Sequence, residues 1–382
     1  MNRGEVLLTG ATGFVGMELL ERWLRHDDRR IVALVRAADG ADARARIDAV
    51  LENLFGPCAR EHAGRVQAVA ADMSQPGLGI SGPERERIAE RVTTIVHSAA
   101  SVSFTLGLDQ ARAINVAGTQ RMLELAALAA DRGGLDCYAQ VSTAFVSGTH
   151  RGAFCECDAD VGQTFHNSYE RSKFEAEQLV REAGLPHTIL RPSIVVGDRN
   201  TGWTAAFNVL YWPLRALSRG LFTAVPAIPS APVDVVSIDY VADAIYELVH
   251  AGPGVGATHH LTAGPHCSSI AELAGLASRY FRRPVPRVLA PEEFAGLTFG
   301  SAERAALEAG SEYFPYFCME GRFDDTGTRA RLQGAGISTA PLPEYLHRLL
   351  DFATRSRWGK RSISRFAASA GAAPAPPLRA AS

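Results

Sequence analysis

Short apolar runs alternate with amphipathic stretches along the first half of the chain. The apolar runs cover residues 5–9, 31–35, 66–70, 94–97 and 138–142, with a further run at 188–190. Because each run is apolar throughout, it predicts a parallel strand that is buried on both faces. The amphipathic stretches between them, at 14–26, 41–54 and 113–132, predict helices. The sequence therefore predicts an α/β fold built on a doubly wound parallel sheet.

A change of pattern after residue 190 indicates a second, smaller lobe. Residues 203–221 are strongly apolar, and the strand and helix patterns resume only after them, so we expect this C-terminal lobe to be discontinuous. From Ala367 onward the chain is rich in Ala and Pro, which predicts disorder. The predicted division is a nucleotide-binding domain of 1–198 and 233–265, a substrate lobe of 199–232 and 266–366, and a disordered tail of 367–382.

Composition narrows the class of partner. Over 382 residues, 39 basic and 41 acidic side chains leave a formal net charge of -2, which gives no electrostatic case for nucleic acid. The six cysteines lack the spacing of a zinc site or of a secreted disulfide framework, so we expect reduced thiols and no metal site. No apolar run in the sequence approaches the roughly 20 residues of a membrane-spanning helix. We therefore expect a soluble, cytoplasmic protein.

A glycine-rich loop follows the first predicted strand. Gly10, Gly13 and Gly16 recur at three-residue spacing where the strand turns into a helix, which is the context of a dinucleotide-binding fingerprint. Gly10 permits the tight turn, Gly13 lets the backbone approach a pyrophosphate, and Gly16 lets the helix pack closely on the strand. The predicted cofactor contacts of this Rossmann loop are Gly10, Thr12, Gly13, Phe14, Val15 and Gly16.

Basic side chains after the second strand favour NADPH over NADH. An acidic residue there would bond the ribose 2′-hydroxyl, but the strand ends at Arg36, whose planar fork suits a 2′-phosphate. Arg44 and Arg46 on the next helix are candidates for a second contact. Asp72, after the third strand, is placed to accept a hydrogen bond from the adenine amino group, with Met73 beside the ring. Small side chains that let the backbone pass close to the cofactor follow the fourth strand, at Ala99, Ala100 and Ser101.

Thr143, Tyr169 and Lys173 form the predicted catalytic centre. Tyr169 and Lys173 are four residues apart in a good helical stretch, so both project from one face. A neighbouring ammonium favours the phenolate, and we therefore expect Lys173 to lower the pKa of Tyr169 toward the working range. Thr143 follows the fifth strand at the carboxyl edge of the sheet, where doubly wound folds bind ligands, and is placed to polarise a substrate carbonyl.

Taken together, these motifs resemble the extended short-chain dehydrogenase/reductase superfamily over roughly residues 5–245. The matching positions are Gly10, Gly13, Gly16, Asp72, Asn115, Thr143, Tyr169, Lys173 and the run Leu190-Arg191-Pro192-Ser193. Within this part, segments 34–36, 43–46, 95–100 and 141–145 resemble the thioester reductase and fatty acyl-CoA reductase branch, which includes the male-sterility proteins. The resemblance implies NADPH as cofactor and an acyl thioester as substrate. It also implies cofactor contacts by Asn115, Ser142, Pro192, Ser193 and Ile194, besides Tyr169 and Lys173.

On this resemblance the chain reduces an acyl thioester to an aldehyde, and then either stops or continues to the alcohol. No adenylation or carrier domain is found in the sequence, so we expect the acyl group to arrive on coenzyme A or on a separate acyl or peptidyl carrier protein. A stripe of large apolar side chains suits an acyl tunnel, although core packing explains such a stripe more often. Its members are Phe207, Leu210, Tyr211, Trp212, Leu214 and Phe222.

Two other interpretations stay open. The same tyrosine and lysine serve ketone and aldehyde reductases and sugar-nucleotide epimerases or dehydratases of this superfamily, although an apolar second lobe argues against a sugar nucleotide. The third interpretation is a non-catalytic NADPH-binding module, against which the intact catalytic trio weighs.

A basic stretch lies near the C-terminus. Its basic residues are Arg355, Arg357, Lys360, Arg361 and Arg365, interleaved with Trp358, Ile363 and Phe366. The stretch predicts a solvated terminal helix or, as a second interpretation, an element that docks an acidic carrier protein or contacts a membrane surface peripherally.

Overall fold

Seven parallel strands form the central sheet of the computed structural model, which describes residues 4–207, 209–250, 252 and 256–370. In chain order the strands are β1 (Glu5–Thr9), β2 (Ile31–Val35), β3 (Val66–Ala70), β4 (Val92–His97), β5 (Cys137–Val141), β6 (Gly152–Phe154), β7 (His187–Pro192), β8 (Ile194–Val196), β9 (Ala224–Pro226), β10 (Pro232–Val233), β11 (Val235–Ser237), β12 (Ala257–Leu261), β13 (Ser268–Ser269), β14 (Arg287–Leu289) and β15 (Gly321–Phe323). The central sheet has the order β12-β7-β5-β4-β1-β2-β3, with every neighbouring pair parallel. The predicted doubly wound α/β fold is thus confirmed.

The strand order reverses between β1 and β4. From β1 the chain builds outward through β2 and β3, then returns to the other side of β1 and continues through β4, β5, β7 and β12. At such a switch point the loops after the two strands diverge and leave a crevice, which is where folds of this type bind ligands. The predicted bounds of β1, β2 and β3 are confirmed, whereas β4 begins two residues before the predicted position.

Helices cover both faces of the sheet. They are α1 (Phe14–His26), α2 (Gly40–Phe55), α3 (Ala59–Ala63), α4 (Gly82–Ala89), α5 (Leu108–Arg132), α6 (Ser168–Glu182), α7 (Tyr211–Ser218), α8 (Ile238–His250), α9 (Ile270–Phe281), α10 (Pro291–Ala295), α11 (Ser301–Glu308), α12 (Thr326–Gln333), α13 (Leu342–Arg355) and α14 (Arg365–Ser369). Because strand side chains alternate between faces, Val6 and Leu8 of β1 face α1, α2 and α8, while Leu7 faces the layer of α4, α5 and α6.

A smaller lobe has its own apolar core. Helices α7, α9 and α13 bury their apolar faces against one another, although they come from widely separated parts of the chain. A short two-stranded ladder of β6 with β15 joins this lobe to the central domain. The lobe is therefore discontinuous, as the sequence predicted. The residue boundaries between the two parts stay a prediction.

The C-terminal segment differs from its prediction. Helix α13 ends at Arg355, and Arg357 and Trp358 follow at φ +52° and +56°, so the basic stretch does not continue as one helix. Arg365 instead donates a 2.5 Å hydrogen bond to the buried Glu18 of α1, and α14 packs on α2. The prediction of one terminal helix is thus wrong, and Arg365 is not solvated because it gains buried carboxylate partners. The other basic residues of the stretch, Arg355, Arg357, Lys360 and Arg361, are exposed, as predicted. The tail predicted from Ala367 begins too early, since α14 extends to Ser369; residues 371–382 lie outside the described residues.

Candidate active site

The glycine loop joins β1 to α1 at the switch point. Gly10 lies at φ +77°, and a Cβ there would lie 2.9 Å from the backbone nitrogen of Ala99. A Cβ on Gly16 would lie 2.0 Å from the carbonyl oxygen of Gly10, so a larger residue would force the helix away from the loop. Gly13 is exposed, and its Cβ would meet only the Gly10 oxygen, at 3.2 Å, within 4 Å. The open space above the start of α1 fits a dinucleotide pyrophosphate.

The other predicted residues of this loop divide between crevice and core. Thr12 is half-buried, and Phe14 and Val15 pack against the core beneath α1, with the Phe14 ring 5.9 Å from that of Trp203. Because these two apolar side chains are used in packing, we expect any cofactor contact of Phe14 and Val15 to come from their backbone N–H groups.

One hydroxyl fastens the loop after β4 to β1. Thr9 Oγ1 accepts hydrogen bonds from the backbone nitrogens of Ser98, at 3.1 Å, and Ala99, at 3.0 Å, and it lies 2.8 Å from Nδ1 of His97. Burial lowers the pKa of His97 to about 3, so the imidazole is neutral. The predicted cofactor residues 99–101 are thereby held beside the glycine loop. This role of Thr9 was not predicted, although its position at the end of β1 was a signal.

Asn115 supports the same loop from α5. Its buried side-chain amide accepts a 2.8 Å hydrogen bond from the Ser101 nitrogen and donates to the Ser101 oxygen at 3.1 Å and to the Ser172 hydroxyl at 2.9 Å. These bonds place Asn115 behind Ser101 and tie the loop to α6. Its predicted direct contact with the cofactor stays a prediction.

The arginines after β2 have different surroundings. Arg36 is exposed at the strand end, and Arg46 donates a hydrogen bond to the Arg36 carbonyl. Arg44 is directed away, because it donates to the backbone oxygens of Ala63, at 3.1 Å, and Val66, at 3.0 Å. We therefore retain Arg36 and Arg46 as candidates for a 2′-phosphate and exclude Arg44.

Asp72 and Met73 lie at the end of β3. Asp72 Oδ1 accepts hydrogen bonds from the backbone nitrogen of Ser74, at 2.8 Å, and from its hydroxyl, at 2.7 Å, which lower the pKa of Asp72 and keep it ionised. The Met73 carbonyl accepts a 2.8 Å hydrogen bond from Arg121 of α5. Both residues are half-buried at the edge of the crevice, and their contact with adenine stays a prediction.

Thr143, Tyr169 and Lys173 lie together at the carboxyl ends of the strands. Thr143 is the second residue after β5 and is buried; its hydroxyl lies close enough to Tyr169 to lower the pKa of the phenol, and its Oγ1 accepts a hydrogen bond from the Phe145 nitrogen at 3.3 Å. Lys173 lies one turn along α6 and donates a 2.7 Å hydrogen bond from Nζ to the Val141 carbonyl. The structure thus brings together the three residues that the sequence predicted as catalytic.

The electrostatics of this trio differ from the sequence expectation. Burial raises the pKa of Tyr169 to about 12, with the Thr143 hydrogen bond lowering it and the charge of Glu170 raising it further. Burial lowers the pKa of Lys173 to about 8. The expectation that Lys173 lowers the Tyr169 pKa is wrong here, because the ammonium is bonded to Val141 and desolvation dominates both groups. The phenol is therefore a protonated donor at neutral pH.

The remaining predicted cofactor residues frame the far side of the site. Ser142 is buried in the turn out of β5, where its nitrogen donates to the Leu190 oxygen at 2.7 Å. Pro192 ends β7, Ser193 is buried, and Ile194 begins β8. Whether these residues touch a cofactor stays a prediction.

An apolar pocket adjoins the catalytic trio. It shares Phe145 and Tyr316 with a group of rings around Tyr169, in which the Phe104 ring lies 5.7 Å from Tyr169 and 5.4 Å from Tyr316. The lining residues are Phe145, Ile194, Val209, Leu210, Pro232, Val233, Asp234, Gly264, Cys267, Tyr316, Phe317, Met319, Gly321, Arg322 and Phe323. Most of these lining residues were not predicted, because they come from segments without a recognisable motif.

The predicted tunnel stripe is mostly core. Of its six members, Leu210 lines the pocket. Tyr211 and Leu214 are buried in the core of the smaller lobe, and Trp212 and Phe222 pack in a second apolar cluster. Phe207 stacks on the ring of Phe352. The core-packing interpretation of this stripe thus fits the structure better than the tunnel interpretation.

Neither a metal-binding cluster nor a membrane-spanning helix occurs among the described residues. In the part of the chain that the structure describes, no group of three or more His, Cys, Asp and Glu side chains is arranged to hold a metal ion. Across the same residues, the structure has no helix with the length and apolar character needed to span a membrane.

Comparison with known proteins places this site among reductases. The sequence profile of the family described as "Male sterility protein" matches residues 8–245. The fatty acyl-CoA reductase wat of Drosophila melanogaster is 34% identical over 240 residues, which cover 54% of this chain and 46% of that protein. A carboxylic acid reductase of Mycobacterium tuberculosis is 32% identical over 288 residues, which cover 67% of this chain and 24% of that protein. The chain therefore spans less than half the length of either relative.

A solved structure extends the likeness over nearly the whole chain. The terminal R domain from the myxalamid PKS-NRPS biosynthetic pathway is 28% identical, with a TM-score of 0.78, and the match covers 94% of this chain and 92% of that domain. The similarity thus includes the smaller lobe as well as the nucleotide-binding domain.

Proposed function

The chain belongs to the male-sterility branch of the extended short-chain dehydrogenase/reductases, and from this premise we propose that it uses NADPH to reduce an acyl thioester to an aldehyde. The observation that carries the proposal is the proximity of the Thr143 and Tyr169 hydroxyl groups at the carboxyl ends of the strands, beside an apolar pocket. A hydroxyl pair facing a nucleotide crevice suits a carbonyl oxygen, and an apolar pocket suits the chain attached to it.

The residues of the trio have different proposed roles in the reaction. Thr143 and Tyr169 hold the thioester carbonyl oxygen by hydrogen bonds, which favour the negative charge that develops there. When bound, NADPH supplies a hydride, and with it two electrons, to the carbonyl carbon. The Tyr169 proton passes to the carbonyl oxygen and gives a hemithioacetal. When the carbon–sulfur bond breaks, the hydroxyl proton passes to the departing sulfur, so that a thiol and an aldehyde are released and Tyr169 regains a proton from solvent. The raised pKa of Tyr169 suits this role because the phenol carries its proton at working pH.

The residues around the crevice fit a phosphorylated dinucleotide. An added Cβ at Gly13 would meet only the Gly10 oxygen, which leaves room for a pyrophosphate, and we propose that Lys173, one helical turn from Tyr169, binds the nicotinamide ribose. Arg36 and Arg46 supply positive charge at the end of β2, where a carboxylate would select NADH. We therefore propose NADPH over NADH.

The acyl carrier is either coenzyme A or a carrier protein. The similarity to a fatty acyl-CoA reductase supports coenzyme A, and the similarity to an R domain of a PKS-NRPS pathway supports a carrier protein. The smaller lobe would contact either carrier.

We propose that the larger domain comprises residues 1–198 and 233–265. We also propose a cytoplasmic location, because the cysteines of the chain are free thiols.

A panel of acyl thioesters tests this proposal by following NADPH oxidation and thiol release together. We expect equal amounts of NADP and free thiol from wild-type protein. In Tyr169→Phe we expect turnover to fall by about 10³-fold, while the NADPH dissociation constant changes by less than about twofold, because only the proton donor is lost. Tyr280→Phe, a half-buried tyrosine of the smaller lobe, is the matched control and keeps full activity.

Other outcomes identify the alternatives. NADPH oxidation of a ketone or aldehyde without thiol release would indicate a carbonyl reductase, and conversion of a sugar nucleotide would indicate an epimerase or dehydratase. NADPH binding without turnover of any of these substrates would indicate a binding module. Equal activity of Tyr169→Phe and wild type would contradict the assignment of the proton donor.

A further inference from the structure

A fully buried carboxylate lies beside the proton donor and takes no part in the reaction above. Glu170 has no exposed surface. Its carboxylate accepts hydrogen bonds from the Tyr316 hydroxyl at 2.5 Å and from the His166 backbone nitrogen at 2.8 Å, and it lies 3.1 Å from Nδ1 of His166. A buried charge is retained only where partners of this kind compensate for lost hydration. This cluster could not be predicted from sequence, since Tyr316 lies 146 positions from Glu170 along the chain.

Tyr316 connects the first turn of α6 to the smaller lobe. It lies in the 3₁₀ segment Ser311–Cys318, which also lines the apolar pocket. Besides donating to Glu170, its hydroxyl accepts a 2.7 Å hydrogen bond from Nδ2 of Asn167. Asn167 is the N-cap of α6, with its Oδ1 accepting from the Glu170 nitrogen at 3.0 Å. One phenol therefore bonds both the cap and the third residue of the helix that carries Tyr169.

Aromatic contacts extend this connection to the reacting groups. The Tyr316 ring stacks on Phe104 at 5.4 Å and meets the edge of Phe145 at 5.2 Å. Phe104 in turn lies 5.7 Å from the Tyr169 ring, and Phe145 follows Thr143 by two residues. A shift of the segment that carries Tyr316 would therefore disturb both hydroxyls that hold the substrate oxygen.

We propose that Glu170 and Tyr316 are positioning residues for Tyr169. Their hydrogen bond holds residues 311–318, which form one wall of the pocket, against the start of α6 and so fixes the Tyr169 phenol beside the acyl group. The inference rests on the proposed role of Tyr169 as proton donor. A rigid position matters because proton transfer requires hydrogen-bond distance, and small displacements reduce rates strongly.

The charge of Glu170 adds a second effect that an uncharged residue would lack. A negative charge beside a phenol disfavours the phenolate, and Glu170 is among the causes that raise the pKa of Tyr169, after burial and against the Thr143 hydrogen bond. Removing the charge lowers that pKa, so Tyr169 loses its proton at a lower pH. The other charged or titratable groups nearby are His166 before α6, Tyr316 in the lobe, Lys173 on α6, and Arg112 of α5, which pairs with Glu175 instead.

Steady-state kinetics of Tyr316→Phe and Glu170→Gln in the full chain test the proposal. Tyr316→Phe removes the hydroxyl and keeps the ring that lines the pocket. We expect kcat with saturating acyl-CoA to fall about tenfold, with KM and the NADPH dissociation constant changed by less than about twofold. In Glu170→Gln we expect a similar loss, and the alkaline limb of the kcat profile, where Tyr169 loses its proton, moves to lower pH.

The control reproduces the same chemical change elsewhere. Tyr280 donates a 2.5 Å hydrogen bond to Asp351 in the smaller lobe, so Tyr280→Phe also removes a tyrosine–carboxylate bond, and we expect unchanged kcat and an unchanged pH profile. If Glu170→Gln does not fold, Tyr316→Phe decides by its kcat and KM. The proposal is overturned if Tyr316→Phe and Glu170→Gln keep kcat within about twofold of wild type and keep the wild-type pH profile of kcat, while Tyr169→Phe is inactive. Activity in Tyr169→Phe would instead contradict the proposed function.

Discussion

The cofactor side and the substrate side of the site are built in different ways. The proposed cofactor side is made of contiguous residues 9–16 and of residues in the loops after neighbouring strands, such as Arg36 and Asp72. The substrate side is a wall of side chains from distant segments, such as Phe104 and Tyr316. The first depends on backbone geometry that a parallel sheet imposes. The second depends on tertiary packing that no local pattern encodes.

The two sides also differ in how they respond to substitution. At the glycine loop the neighbours of an added Cβ are backbone atoms, which move only if the strand or helix moves. In the pocket the neighbours include flexible side chains such as Met319 and Arg322, which adopt new rotamers at smaller cost. We therefore expect larger effects on the cofactor side than on the substrate side.

The largest effect is expected from Gly16→Ala. Its methyl group would lie 2.0 Å from the Gly10 carbonyl, so helix and loop must separate and the pyrophosphate site is lost. We expect the NADPH dissociation constant, measured by calorimetry, to rise at least about 100-fold, equivalent to about 3 kcal/mol. Gly40→Ala is the control, since nothing lies within 4 Å of its Cβ and binding should not change. Equal binding by both variants would remove the contrast between the two sides.

A smaller effect on the same side is expected from Arg36→Ala. Loss of a charge-assisted hydrogen bond to the 2′-phosphate should raise the NADPH dissociation constant by about 30-fold and leave that of NADH unchanged. Arg30→Ala removes an equal charge from the residue before β2, at the opposite edge of the sheet, and should have no effect. If both variants weaken NADH and NADPH equally, Arg36 acts on the loop and does not select the phosphate.

The same contrast explains how far the sequence could predict this molecule. Continuous apolar runs predicted β1 to β3 to the residue, and the four-residue spacing of Tyr169 and Lys173 predicted their common face. The burial of Tyr169 could not be predicted from the spacing, so the predicted direction of its pKa shift was wrong. Arg365 resembled a solvated charge because Glu18, its partner, is 347 positions away. Local geometry is therefore predictable from sequence, whereas compensation between distant groups is not.

The smallest effect is expected on the substrate side, from Val233→Phe. Val233 is buried beside the smaller lobe and lines the pocket, so a larger ring there fills space that an acyl chain would occupy. We expect KM for a long-chain acyl-CoA to rise by about tenfold, with acetyl-CoA and NADPH affected by less than about twofold, because side chains around the pocket adjust. Val285→Phe makes the same change at an exposed position of that lobe and should leave all three constants unaltered. If Val233→Phe weakened the binding of NADPH as strongly as that of the long-chain acyl-CoA, the two sides would form one coupled unit. The division between a rigid backbone side and an adaptable side-chain wall would then have to be abandoned.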